Sequence, residues 1–200
     1  YQKRLNATGN VDFGDLIMLP VKILTENNLI RQRLLQRFRV IMVDEYQDSN
    51  VAQFKLLESL SGYGSNFSEN PAYVCVVGDD DQSIYKFRGA EVKNILNFKS
   101  IFPNTKIIRL EKNYRSKSEI LAVADDIVKN NNDRLGKKLS AERGNGKLPV
   151  LAFLPNQDEE AKFCADLIEQ THEMGIPYNE WAILYRTNAQ SRSLEEKLIK

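Results

Sequence analysis

The sequence is poor in the residues that soft-metal and redox chemistry use: it has two cysteines and one histidine in 200 residues. Cys75 lies in an apolar run and Cys164 on an apolar helical face. Neither has a CxxC partner or nearby histidines, so nothing points to zinc, and both read as buried, reduced core residues. His172 reads as an exposed residue near a helix end, not as part of a nucleophilic triad. No apolar run approaches the roughly 20 residues needed to cross a bilayer, and there is no signal peptide. A charge excess is also missing, with Lys and Arg numbering 28, Asp and Glu 27, and a formal net charge of +1. A nucleic-acid partner therefore has to be read from a local patch. The phosphate-cradling pattern GxxxxGK[ST] does not occur. Internal repeats and low-complexity tracts are absent too. The first residue is Tyr1, not Met, which reads as a piece of something longer. The remainder, 42% hydrophobic and 28% charged, fits an ordered globular chain.

What the chain does have is strands that end in acids. Val40-Ile41-Met42-Val43 runs into Asp44-Glu45, and Tyr73-Val74-Cys75-Val76-Val77-Gly78 runs into Asp79-Asp80-Asp81-Gln82. In a parallel α/β sheet, ligands bind beyond the carboxyl ends of the strands. Acids gathered there are costly unless a cation offsets them, and the first reading is a Mg²⁺-nucleotide site.

Around these strands the apolar spacing predicts helices over 12–24 (with Pro20 kinking or restarting the segment), 29–38, 50–60, 91–100 and 157–174. Ser49 or Asp48 is the expected cap of the third. Strands are predicted at 39–43, 72–77, 106–110, 148–154 and 181–185, and a surface loop over 61–71. Ser116 with Glu119 reads as a capping box before a helix through Val128, and Ser193 with Glu196 as the cap of a last helix. Residues 129–147 read as a long connection. Strands alternating with helices predict an α/β chain with parallel sheets, and a domain change falls near 103–110.

Four segments could carry chemistry. Asp44 suits Mg²⁺, and Glu45 could polarise a water as a general base; the plain alternative is a strand ending in solvated acids. In Gly78–Ala90, Gln82 can sense a terminal phosphate or orient a water. Tyr85, Phe87 and Arg88 alternate aromatic and basic character, as single-strand binding sites do, unless the two rings are core residues. Asn113-Tyr114-Arg115-Ser116 puts an arginine where it could complete a phosphate site across a cleft, or simply pair with an acid at a helix start. Residues 183–192 set Arg186, Asn188 and Arg192 on a polar turn before a helix, either a phosphate-backbone contact or a capped loop. Arg31, Arg33, Arg37 and Arg39 read as a solvated face.

Taken in order, these segments resemble the UvrD/Rep/PcrA-type helicases of superfamily 1. Val43–Asp48 resembles motif II of that family, Gly78–Ala90 motif III, and Leu110–Ser116 motif IV. Residues 183–198 resemble the segment that follows, and Asp12–Leu16 resembles a motif usually written DFDDL. The resemblance implies two partial RecA-like (P-loop NTPase type) parallel-sheet lobes, 1–105 from the first motor domain and 106–200 from the second. It implies an ATP- and Mg²⁺-dependent motor moving 3′ to 5′ on single-stranded DNA and opening duplex junctions. Asp44 and Glu45 would serve Mg²⁺, with Glu45 as base. Gln82 would contact the γ-phosphate, Gln47 would link the ATP and DNA sites, Tyr114 would stack on adenine, and Arg115 would be the γ-phosphate arginine. Tyr85, Phe87, Arg88, Arg186 and Asn188 would face DNA. The family's setting implies bacterial cytoplasm at the nucleoid, no membrane, and repair or replication proteins as partners. Position 14 is Gly where the family has Asp, and position 87 is Phe where many members have Trp. Without the lysine loop, the 200 residues alone are expected to be inactive. Two other readings stand beside the motor: a catalytically silent DNA- or protein-binding piece, and a metal-dependent phosphohydrolase built on Asp44 and Asp79–Asp81.

Overall fold

The computed structural model describes residues 1–63, 68, 70–131 and 134–199. The chain forms two compact units, Tyr1–Lys147 and Leu148–Lys200. In the first, helices α1 (Gln2–Ala7), α2 (Asp15–Glu26) and α3 (Asn28–Arg37) lead into strand β1 (Val40–Val43). Helix α2 runs through Pro20 without ending. Its start is set by a reciprocal pair. Asp12 Oδ1 accepts the Asp15 N–H, and the buried Asp15 accepts the Asp12 N–H.

Strand β1 pairs in parallel with β2 (Tyr73–Val76), Val40 opposite Tyr73 and Val43 opposite Val76. Parallel strands need a crossover, and α4 (Val51–Ser61) supplies it. The cap of α4 is Asn50, not Ser49 or Asp48. The Asn50 side chain accepts from Gln53 N–H while the Gln53 side chain accepts from Asn50 N–H, a full capping box. Ser49 is committed elsewhere, its hydroxyl donating to the Tyr46 carbonyl. At the other end Gly62 takes φ 78°, the left-handed conformation that ends many helices. The loop expected over 61–71 lies in part outside the described residues.

The core of this unit is aromatic. Tyr46, Phe54, Leu57, Phe98 and Phe102 are buried together, with Ile41, Val43, Val74 and Val76 of the sheet against them. Phe98 meets Tyr46 edge-on at 5.6 Å and stacks on Phe102 at 4.3 Å. The expected helix over 91–100 is two short pieces, α5 (Lys93–Leu96) and α6 (Phe98–Ile101). Burial, and secondly Glu58, pushes the Tyr46 hydroxyl's pKa up to about 12. Cys75 and Cys164 are free and half-buried, less enclosed than their sequence context suggested.

Two-residue strands β3 (Lys112–Asn113) and β4 (Ser140–Ala141) form a second parallel pair, flanking α7 (Ser118–Val128). The Ser116/Glu119 capping box does not form. The N-cap is Lys117, and the Glu119 carboxylate is drawn away to accept the Gly146 N–H at 2.6 Å. In the second unit, α8 (Gln157–Glu173) is capped by Asn156, and α9 (Ser191–Leu198) packs on it. The single turn before α9 begins with a Thr187/Gln190 capping box in place of the expected Ser193/Glu196 pair. His172 is exposed at the end of α8 and stacks on Tyr178 at 3.8 Å.

The α/β class and the parallel pairing agree with the sequence. The strands predicted at 106–110, 148–154 and 181–185 are not present as ladders. A strand is held by its neighbour's hydrogen bonds, and these segments find no neighbour among the described residues. Many of their apolar side chains stay in solvent, Phe153 at 89% and Leu184 at 91% exposure, while Trp181 and Ile183 are half-buried.

Replacing Asn50 by Ala removes the side-chain acceptor of the Gln53 N–H, while the backbone N–H of residue 50 can still donate to Gln53, and is expected to lower stability by about 1 kcal/mol. Urea unfolding followed by circular dichroism reads this, and an unshifted midpoint would count against the cap.

Candidate functional site

The first strand end is built around a backbone turn that a side-chain-bearing residue rarely makes. Glu45 sits at φ 48°, ψ 42°. That left-handed conformation costs roughly 1–2 kcal/mol for a residue with a Cβ. Three hydrogen bonds hold it. The Asp44 carboxylate accepts the Glu45 N–H at 2.9 Å, Gln47 Nε2 donates to Glu45 Oε2 at 2.8 Å, and the next amide, Tyr46 N–H, donates to the Val77 carbonyl at 2.9 Å.

Gln47 joins the two strand ends. It is 1% exposed, so both faces of its carboxamide need partners. The NH₂ goes to Glu45, and the oxygen accepts the Asp79 N–H at 3.0 Å. Its main-chain carbonyl accepts the Ser83 hydroxyl at 3.3 Å. The approach explains Gly78. A Cβ there would lie 2.7 Å from Gln47 Oε1 and 2.9 Å from Ile95 Cδ1. Beyond it, Asp79 Oδ2 accepts from Gln82 Nε2 at 2.7 Å. One line of hydrogen bonds therefore runs from Glu45 through Gln47 and Asp79 to Gln82.

The three acids after β2 lie close enough together to hold a metal ion. Their partners are instead cations of the chain. Arg134 grips Asp81 with both arms of its fork, at 2.7 and 2.8 Å. Lys137 bonds Asp79 and lies 3.6 Å from Asp81, and the Leu135 N–H donates to Asp80 at 2.7 Å. Burial alone would raise the Asp79 pKa. The hydrogen bonds from Lys137 and Gln82, with the Lys137 charge, outweigh it and hold the carboxyl below its ordinary value of 3.8. Arg134 and Lys137 fall in the segment that reads as a bare connection, so sequence reasoning missed them. The usable signal was complementarity: Asp79–Asp81 has no basic residue within three positions, and Arg134-Leu135-Gly136-Lys137-Lys138 has no acid inside it.

Asp44 and Glu45 differ from that cluster. Both are exposed, and neither has an ion-pair partner among the described residues. Asp44 Oδ2 and Glu45 Oε1 make no hydrogen bond there either. Free carboxylate oxygens of this kind fit a hard divalent cation such as Mg²⁺.

The aromatic-basic segment lies on the surface, not in the core. Tyr85 precedes a single turn at Lys86–Arg88, and Phe87 is 74% exposed. The rings sit 5.9 Å apart, with the Arg88 guanidinium 4.9 Å from the Tyr85 centroid and 5.5 Å from that of Phe87. This is a stacking surface with a cation attached. Tyr114 is 69% exposed, and Arg115 is exposed beside it. Their loop is fixed by Asn113 Oδ1, which accepts the N–H groups of Arg115 at 3.0 Å and Ser116 at 2.7 Å. The Arg115 guanidinium has no partner among the described residues, and no hydrogen bond joins it to the Glu45–Gln82 line. In the second unit, Gln190 Oε1 accepts the N–H groups of Arg186 and Thr187 at 3.0 and 2.9 Å. That leaves the exposed Arg186 and Asn188 side chains without partners among the described residues.

Comparison with known proteins agrees in extent and order. A model of the UvrD/REP helicase N-terminal domain matches residues 1–103, and one of the UvrD-like helicase C-terminal domain matches 108–200. The ATP-dependent DNA helicase UvrD1 of Mycobacterium tuberculosis is 46% identical over 201 residues, covering all of this chain and 26% of that protein. The ATP-dependent DNA helicase PcrA of Bacillus subtilis is 42% identical over all of the chain and 26% of its own length. DNA helicase II of Escherichia coli is 42% identical over all of the chain and 27% of its own length. The chain thus spans about a quarter of the length of the curated relatives it matches. With a family model matching more than half of the chain and a second matching most of the rest, it belongs to the UvrD/Rep family of helicases.

Proposed function

We propose that this chain is the part of an ATP-dependent DNA helicase in which hydrolysis is coupled to movement, residues 1–105 belonging to the first motor domain and 106–200 to the second. The whole protein moves 3′ to 5′ on single-stranded DNA and opens duplex junctions. The observation that supports this most is the unbroken hydrogen-bond line from Glu45 through Gln47 and Asp79 to Gln82. It connects a carboxylate suited to general-base work with a carboxamide at the head of the aromatic loop.

Asp44 would hold Mg²⁺ with Glu45 beside it, and the ion would offset phosphate charge when bound. Glu45 takes the proton of the attacking water through the oxygen that Gln47 leaves free. Gln82 contacts the terminal phosphate. Arg115, with its guanidinium unspent, stabilises charge on the transferred phosphoryl group, and Tyr114 stacks on the adenine. Tyr85, Phe87 and Arg88 take bases of the strand, while Arg186 and Asn188 contact its backbone. The protein works in the bacterial cytoplasm at the nucleoid, beside repair or replication proteins. No described helix is long and apolar enough to cross a membrane. The phosphohydrolase reading loses ligands, because Arg134 and Lys137 already pair with Asp81 and Asp79.

Three outcomes test this. In the whole helicase, Glu45→Gln lowers DNA-stimulated turnover by about 100-fold or more and leaves ATP binding in place. Turnover at the unsubstituted rate would remove Glu45 from the base role. Phe87→Ala weakens binding to a single-stranded oligonucleotide by about 1–3 kcal/mol, read by fluorescence anisotropy. An unchanged affinity would put the ring outside the DNA path. The 200 residues alone, lacking GxxxxGK[ST], release no phosphate from ATP with or without DNA. Measurable DNA-stimulated release would show that the phosphates are cradled by other residues.

A further inference from the structure

Residues 129–147 supply a clasp that neither the motifs nor the proposed mechanism uses. The Asp81 side chain is 8% exposed and takes both arms of the Arg134 fork. Lys137 lies between Asp79 and Asp81, and the Leu135 N–H closes on Asp80. All three acids of one turn are thus met by one five-residue stretch more than fifty positions later in the chain. The two stretches fall in different family segments, 1–103 and 108–200. Asp79 does two things at once. One carboxylate oxygen takes Lys137, and the other takes the Gln82 amide.

We infer that Arg134 and Lys137 are positioning residues, an ionic clasp from the second family segment that, through Asp79, fixes the direction in which the Gln82 carboxamide points. Gln82 has a free amide that would otherwise rotate about exposed side-chain torsions. With Asp79 Oδ1 committed to Lys137, Oδ2 is left as the acceptor that holds Gln82. Arg134 keeps the turn in register by locking Asp81, whose N–H is bound to Asp79 Oδ1 at 3.0 Å. The functional part of this inference rests on the reading of Gln82 as the phosphate contact.

Two measurements separate the inference from that reading. In the whole helicase, Lys137→Ala lowers kcat for DNA-stimulated ATP hydrolysis by about 10- to 100-fold with little change in KM for ATP. Lys137→Arg restores most of it. Lys137→Ala adds nothing further on top of Gln82→Ala, because both changes lose the same orientation. Losses that multiply, or a Lys137→Ala enzyme with full kcat, overturn the positioning role. Urea unfolding of this chain tests the clasp without any activity. Arg134→Asp alone lowers the midpoint by placing a third carboxylate beside Asp81 and Asp80. Adding Asp81→Arg to it recovers much of the loss. No recovery in the exchanged pair overturns the clasp. If Gln82→Ala leaves kcat untouched, the phosphate reading of Gln82 fails, and the unfolding pair alone decides the clasp.

Discussion

The buried carboxamide of Gln47 is the constraint on which the rest of this site depends. A side chain at 1% exposure that left one of its polar ends unpaired would cost about 1–3 kcal/mol. Gln47 avoids that by bonding a carboxylate on one strand end and a backbone amide on the other. Each partner is then fixed relative to the other. The requirement spreads outward. Gly78 must lack a Cβ so that the oxygen can reach Asp79, and Glu45 must turn left-handed so that its carboxylate meets the NH₂. A glutamate in the place of Gln47 would set two carboxylates against each other. A leucine would orphan two groups at once.

The two acid-bearing strand ends look alike in sequence and are electrostatically opposite. After β2, three carboxylates are matched by a guanidinium, an ammonium and a backbone N–H. After β1, Asp44 and Glu45 have no cation among the described residues. Neighbouring carboxylates without a counter-charge repel, and a divalent ion is the natural relief. The distinction separates acids already satisfied by the chain from acids left open to an incoming cation. Residue counting treats the two sets as equivalent.

How much of this could be read beforehand follows from the range of the forces. Strands β1 and β2, the helices α2, α3, α4 and α8, and the parallel pairing are written in local apolar spacing. The exposure of Phe87 and Arg88, which the aromatic–basic pattern left open against a core reading, is settled by the structure. Caps were read less well. Ser49 and Ser116 are good capping residues by type, yet Ser49 is bonded to Tyr46 and Glu119 to Gly146, both choices made by tertiary contacts. The strands predicted at 106–110, 148–154 and 181–185 have the right composition and no ladder, since a strand's hydrogen bonds belong to its neighbour. Arg134 and Lys137 stayed hidden because a clasp spanning more than fifty positions leaves no periodic trace in either half.

The two strand ends and the aromatic loop are tied together mechanically in this fold. The loop from Asp79 to Ala90, which bears Gln82 and the exposed aromatics, is tied to the turn after β1 at both of its ends. At its start, Gln47 holds Asp79 and Ser83. At its finish, Ala90 bridges Asn50 in antiparallel fashion, and the Ser49 carbonyl accepts from Glu91 N–H and from the Asn94 side chain. Those anchors are residues 47–50, directly after the Asp44–Glu45 pair. A shift of the acids would therefore be passed through a short turn, with Gln47 and Ser49 buried, to both ends of the aromatic loop. The rings ride on the part of the loop between the anchors, where they lie against each other and the Arg88 guanidinium. The segment is rigid at its two ends and open at its crest.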